Sequence, residues 1–80
     1  MKDAEQYYSN YSDLKEDYPH FALELIKYID SLHERWFFNE CFNPDCDGSR
    51  FAVVLHNGGK ALKNISAVKT GASYTFEENQ

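Results

Sequence analysis

The sequence is short of cysteine and of basic residues, and each shortage disfavours a class of protein. Its 80 residues include only two cysteines, Cys41 and Cys46, too few for the disulfide framework of small secreted domains. Eight basic residues stand against 13 acidic ones, and the net charge is −5. A protein that grips a phosphate backbone needs clustered Lys and Arg, so we expect no direct nucleic-acid partner.

Long apolar runs are also missing. No stretch approaches the length needed to span a bilayer. The segment from Met1 to Asn10 is polar and lacks the apolar run of a signal peptide. We therefore expect a cytoplasmic protein that makes no contact with a membrane.

Aromatic residues, in contrast, are plentiful. The chain is 42% hydrophobic and 16% aromatic, with six Tyr, six Phe and one Trp. Aromatic side chains bury large areas, which lets a short chain build a core despite its unfavourable ratio of surface to volume. The length and composition predict one ordered domain covering residues 1–80.

The first half of the chain has helical periodicity. Apolar residues in 3–16 recur on one helical face, with a break near Ser12 or Asp13, where Asp13 and Glu16 have capping-box spacing. Pro19 suits the first turn of a second helix. Behind it, an apolar stripe recurs at steps of four and three up to about residue 39: Phe21, Leu25, Ile29, Leu32 and Trp36. The pattern predicts helical structure over 3–40, with the second helix long and amphipathic.

The second half has strand signals. Turn residues fill 41–49, and the largely apolar run Arg50–His56 predicts a strand. Both of its faces are largely apolar, which suits a covered or central strand. Asn57-Gly58-Gly59 predicts a hairpin that places Leu55 opposite Ala61 and Phe51 opposite Ile65. Residues 61–67 fit either a strand or a short helix, and 72–76 reads as a last strand with Tyr74 and Phe76 on one side.

Together these elements predict an α+β fold. Two N-terminal helices would pack on a small C-terminal antiparallel sheet of two to three strands, with the hairpin and the last strand in residues 50–77.

Two segments have spacing that suggests a metal site. Cys41 and Cys46, with His33 and His56, supply four ligands of the kind that zinc prefers. The overlapping segment Asn43–Gly48 matches the first half of a calcium loop, although its twelfth position is Val54 instead of a carboxylate. The alternative is free thiols beside a polar turn. We expect no cofactor, and a module stabilised by zinc or calcium is the alternative function.

No arrangement typical of an active site is evident. A Cys–His pair is the only candidate, and neither an orienting group nor a cleft is specified for it. The segment His56–Lys60 could cradle an anion, but the hairpin accounts for the same residues. We therefore predict that the protein is not an enzyme.

The N-terminal segment mixes tyrosines with carboxylates, a combination suited to binding a basic surface. The predicted partner-binding residues are Asp3, Glu5, Tyr7, Tyr8, Tyr11, Asp13, Glu16, Asp17 and Tyr18. We predict a non-enzymatic protein-binding module, in its specific form an acidic inhibitor of the phage or mobile-element type that mimics nucleic acid and covers a basic, nucleic-acid-binding surface of a larger partner. Packing of the tyrosines in the core is the alternative. A homo-oligomer, for example a homodimer, that hides a patch of Leu23 and Phe38 is compatible with the protein-binding module.

Overall fold

The computed structural model describes residues 6–44, 48–59 and 61–79, which form two helices and five strands. The elements in chain order are β1 (Gln6–Tyr8), α1 (Tyr11–Asp17), α2 (Pro19–Asp30), β2 (Phe37–Asn43), β3 (Arg50–His56), β4 (Leu62–Thr70) and β5 (Ser73–Asn79). The strands form one antiparallel sheet in the order β1-β2-β3-β4-β5. The prediction of a sheet of two to three strands is therefore wrong.

The largest error concerns residues 31–43. Helix α2 begins at Pro19, as predicted, but it ends at Asp30, and Ser31 Oγ donates to the Tyr28 carbonyl at 2.6 Å. Residues 37–43 instead form β2, which pairs with β3. Taken alone, the spacing of the apolar residues in this segment fits the period of a helix. As a strand, the segment also gives hydrogen-bond partners to a side of β3 that would otherwise be a bare edge.

The N-terminal helix also begins later than predicted. Residues 6–8 form β1, which pairs with residues 41–43 of β2. Helix α1 then starts after Asn10, whose side-chain oxygen accepts from the Asp13 amide at 2.9 Å. A strand forms at 6–8 because its pairing with β2 carries Tyr8 into the core, where it is 5% exposed. Residues 3–5 lie outside the described part of the chain.

The hairpin forms between the expected strands in a different register. Leu55 pairs with Lys63 and Phe51 with Ala67, two residues beyond the predicted partners. The connection is longer than a three-residue loop, because Asn57 Oδ1 accepts from the Ala61 amide at 2.9 Å across it. The ambiguous residues from Leu62 onward belong to strand β4.

Both helices lie on one face of the sheet, and the core lies between the two layers. Phe21 of α2 stacks on Phe51 of β3 with ring centroids 3.8 Å apart. The buried core residues are Tyr8, Leu14, Phe21, Ala22, Leu25, Cys41, Phe51, Val53, Leu55, Ile65 and Ala67. None of the helices in the described ranges is long and apolar enough to cross a membrane.

Candidate interaction surface

The sheet has one face covered by the helices and one face with no layer of described residues over it. Successive side chains of a strand point to opposite faces. In β3, Phe51, Val53 and Leu55 are buried under the helices, so Ala52, Val54 and His56 point the other way. We call this second side, to which Ala52, Val54 and His56 point, the open face. Its apolar members are Tyr7, Phe37, Phe42, Ala52, Val54, Leu62 and Val68.

Exposed large hydrophobic residues are concentrated on the open face. Five such residues occur in the described part of the chain, and four of them lie there: Tyr7 (55% exposed), Phe37 (45%), Leu62 (64%) and Val68 (44%). The fifth, Leu23, is on the outer side of α2. Single exposed apolar residues are ordinary, whereas several of them on one face of a sheet suggest an interaction site.

An aromatic pair lies at the β1 end of the open face. Tyr7 and Phe42 are cross-strand partners with ring centroids 5.1 Å apart. The Tyr7 hydroxyl donates to Glu40 Oε1 at 3.1 Å, and this hydrogen bond to a carboxylate raises the pKa of Tyr7. The contact orients an exposed ring beside a negative charge, an arrangement suited to contacting an apolar surface that carries a cation.

Composition changes across the open face from β1 to β5. Phe37 and His56 are cross-strand partners with ring centroids 5.5 Å apart, and Leu62 follows on β4. Toward β5 the side chains are polar and bond to one another, as Asn79 Nδ2 donates to Ser66 Oγ at 2.7 Å. The aromatic members therefore lie on β1 and β2, β4 mixes Leu62 and Val68 with polar side chains, and the open-face residues of β5 are polar.

The four predicted tyrosines do not form one exposed patch. Tyr8 is buried, its hydroxyl donates to Asp17 Oδ2 at 2.9 Å, and burial raises its pKa. The hydroxyls of Tyr11 and Tyr18, both half-buried, donate to the Ala22 carbonyl and to Gln6 Oε1 at 3.0 Å each. Tyr7 alone among the four presents an exposed ring, because it is the one on the open face.

The predicted acidic residues of α1 are exposed and engaged locally. Asp13 accepts from the Asn10 side chain at 3.1 Å, and Asp17 accepts from Tyr8. Glu16 is exposed on the same helix. Asp3 and Glu5 lie outside the described residues. Whether any of these carboxylates contacts a partner stays a prediction.

A buried amide connects the two layers near α1. Asn43 is fully buried, and its Nδ2 donates to Gln6 Oε1 at 2.8 Å and to the Tyr18 hydroxyl at 2.9 Å. Its Oδ1 has no hydrogen-bond partner among the described atoms. The side chain that was expected to begin a calcium loop therefore belongs to the polar part of the core. Asp45, Cys46 and Asp47 lie outside the described residues.

The three predicted zinc ligands that the structure describes are spread over the molecule. Cys41 is fully buried on the covered face, where burial raises the pKa of its thiol to about 12. His56 is on the open face, and His33 is exposed in the connection between α2 and β2. The sheet itself therefore separates Cys41 from His56. Across the described ranges, no three His, Cys, Asp or Glu side chains are grouped to hold a metal.

Sequence reasoning missed the grooves around Trp36, in the connection between α2 and β2. The largest, of 530 Å³, is lined by Tyr11, Ile26, Ile29, Asp30, Arg35, Trp36, Phe37 and Phe38. Lys63 Nζ lies 4.9 Å from the centroid of the Trp36 ring. The predicted helix over this segment had assigned Trp36 to the core stripe. Phe38 is half-buried, with its ring centroid 6.2 Å from that of Tyr11, and Leu23 is 54% exposed on α2. A homo-oligomer through these two residues stays a prediction.

The chain matches no known protein family, no curated protein and no solved structure in the comparisons made. The candidate site consequently depends on geometry alone. Phe37, Phe42, Leu62 and Val68 were not predicted as site residues. The only sequence signal for them was the apolar content of both faces of β3, which we had interpreted as typical of a covered or central strand.

Proposed function

We propose that this protein is a non-enzymatic protein-binding module that docks a partner on its open face. The observation that supports this is the concentration of exposed apolar side chains there, Tyr7, Phe37, Leu62 and Val68. Burying such a surface contributes roughly 25 cal/mol for each Å² of apolar area removed from water. A cytoplasmic location, expected from the composition, remains part of the proposal.

The partner surface we propose is apolar at its centre and basic around it. Among the residues that the structure describes, the open face carries two carboxylates, Glu40 and Glu77, and one Lys or Arg side chain, Arg50. Glu40 is next to the aromatic pair, where a partner's Lys or Arg would meet both a charge and a ring. In its specific form, the proposal is an inhibitor that covers a basic, nucleic-acid-binding surface. Two observations support this form: Glu40 lies next to the aromatic pair, and the net charge of the chain is −5.

Salt dependence separates the electrostatic form from the apolar one. Beyond the open face, the described acidic and basic residues are mixed, and helix α2 for example carries Glu24, Lys27 and Asp30. If attraction to a basic surface dominates, affinity falls steeply between 50 and 500 mM NaCl, concentrations that shorten the Debye length from about 14 to about 4 Å. If apolar burial dominates, affinity changes little over that range.

Two matched substitutions test the open face as the docking surface. Leu62 (on the open face) and Leu23 (on α2) are exposed to similar extents, 64% and 54%. Wild-type, Leu62→Lys and Leu23→Lys proteins serve as bait in lysate of the cells that encode the chain, with the captured proteins quantified by mass spectrometry. We expect one partner to be captured by wild type and by Leu23→Lys and lost with Leu62→Lys. Equal capture by all three proteins would refute the open face as the site.

A further inference from the structure

The two edges of the sheet differ in how they are protected. At one edge, three of the described residues, Gln6–Tyr8, form β1, and β2 behind it has an irregular register between Phe38 and Glu40. At the other edge, β5 pairs with β4 over seven consecutive residues without a register shift, and it contains no proline. Short strands and bulges are devices that prevent pairing with another chain. The edge at β5 lacks both of them.

The outward-facing backbone groups of β5 can be identified from its register. Residues of an antiparallel strand bond alternately to one side and to the other. The Lys69 amide donates to the Ser49 carbonyl at 2.9 Å, toward β3, so its cross-strand partner Tyr74 is in a pair without hydrogen bonds. The backbone N–H and C=O groups of Tyr74, Phe76 and Glu78 therefore point away from the sheet.

We propose that a second copy of this chain pairs along this edge, antiparallel, with a two-fold axis through Phe76. This register puts Phe76 opposite Phe76 of the second copy, and Tyr74 of each copy opposite Glu78 of the other. All three outward-facing residues therefore form hydrogen-bonded pairs. Two five-stranded sheets then become one continuous sheet of ten strands. The contact is isologous, as closed dimers require.

The charges of the edge fit this register. Glu77 of one copy lies opposite Thr75 of the other, and no carboxylate faces a carboxylate across the axis. Glu78 is already neutralised within its own chain, because Lys63 Nζ is 3.0 Å from its Oε1 and the Tyr28 hydroxyl donates to its Oε2 at 3.1 Å. Like charges directly opposite one another would oppose strand pairing, and here they are avoided.

Helix α2 adds a second complementary feature. It runs in the same direction as β5, since His20 is near Tyr74 and Tyr28 stacks on Phe76 with ring centroids 4.8 Å apart. A two-fold axis through Phe76 therefore sets the two α2 helices antiparallel above the junction. The middle of each helix carries Glu24 and Lys27, which then approach Lys27 and Glu24 of the second copy.

The dimer goes beyond the proposed function and does not depend on it. Because the axis is perpendicular to the sheet, both open faces lie on the same side of the ten-stranded sheet. A partner with two copies of its binding surface would thus be held by both at once. Disrupting the dimer lowers that avidity, while the binding of a single open face is unchanged.

Sedimentation velocity over a concentration series tests the dimer, with substitutions at Thr75. Thr75→Glu puts a carboxylate opposite Glu77 of the second copy and weakens dimerisation by roughly tenfold, whereas Thr75→Lys strengthens it by a similar factor. The control is Thr70→Glu. It adds the same charge one strand further from the axis and removes the same hydroxyl contact, Thr70 Oγ1 to Thr75 Oγ1 at 3.0 Å. Wild-type protein that stays monomeric at millimolar concentration overturns the proposal, as does an equal effect of Thr75→Glu and Thr70→Glu.

Hydrogen exchange followed residue by residue tests the register. We expect the amides of Tyr74, Phe76 and Glu78 to become protected as concentration rises, while those of Thr75 and Glu77, already bonded to β4, do not change. The proposed pairing would be contradicted if protection rose with concentration only for the amides of open-face residues. It would also be contradicted if protection rose equally for all amides of β5.

Discussion

The two faces of the sheet are built from the same strands and have opposite roles. Along β3, the residues under the helices are at most 2% exposed. On the other side of neighbouring strands, apolar residues such as Leu62 and Val68 remain 64% and 44% exposed. The covered face gains its stability from a layer that the chain itself supplies. The open face also has apolar members, and these are the residues that the proposed partner would cover.

The largest expected effect comes from removing one phenylalanine from each face. Phe51→Ala removes a buried ring stacked on Phe21 at 3.8 Å, and we expect it to lower the free energy of unfolding by about 3–5 kcal/mol. Phe42→Ala, on the open face, should cost about 1 kcal/mol or less and should instead weaken partner binding. Urea denaturation of both variants measures the difference. If Phe51→Ala and Phe42→Ala lowered the free energy of unfolding by similar amounts, the two faces would not differ in their contribution to stability.

The next effect compares the hydroxyls of two adjacent tyrosines. Tyr8→Phe removes a buried hydroxyl that donates to Asp17 and should lower stability by about 1–2 kcal/mol. Tyr7→Phe removes a hydroxyl that donates to Glu40 on the open face, and we expect no measurable change in stability, because the group is exposed to solvent. Thermal unfolding of the pair is the measurement. A larger loss for Tyr7→Phe would mean that the open face contributes to stability more than its exposure implies.

A smaller effect should appear in acid, at the β5 edge. Hydrogen bonds from Lys63 and Tyr28 lower the pKa of Glu78 below its ordinary value of 4.5. Because the folded-state pKa is the lower one, the stabilisation is present above pH 4.5 and is lost as pH falls through the folded pKa. Wild type should therefore lose more stability than Glu78→Gln on acidification. Parallel pH profiles of the two proteins would contradict this, as would a wild type that gains stability relative to the variant.

The smallest effect is expected from removing metal. Cys41 on the covered face and His56 on the open face lie on opposite sides of the sheet, so one ion cannot bind both. We predict that a chelator leaves the melting temperature unchanged and that elemental analysis of the purified protein finds less than stoichiometric zinc and calcium. Stoichiometric metal would instead support the metal-stabilised alternative and would place its ligands elsewhere, with Cys46 among the candidates.

Some of this fold could be predicted from local pattern. Strand β3 was predicted with its observed bounds, Arg50–His56, because a short apolar run between turn residues is typical of a buried strand. The start of α2 at Pro19 was confirmed for a similarly local reason. Tyr74 and Phe76 do share one side of a strand, since both contact Phe21 under the helices.

The errors fall where two local patterns compete. Residues 32–37 continue the helical period of α2, and the same residues suit an irregular connection leading into a strand. Pairing with β3 decides between the two, and that pairing joins residues far apart in sequence. The candidate site was missed for the same reason. The residues of the open face become neighbours only when β1, β2, β3 and β4 are aligned in register.

The sequence by itself determined that this chain has an aromatic core, an amphipathic helix starting at Pro19, a strand at 50–56 and an acidic balance of charge. These properties follow from composition and from periods of a few residues. The tertiary structure alone decided which tyrosines are buried, which face of β3 is covered and which edge of the sheet is left regular. Those outcomes depend on strand register and on the side of the sheet that the helices take, and both are fixed by long-range contacts.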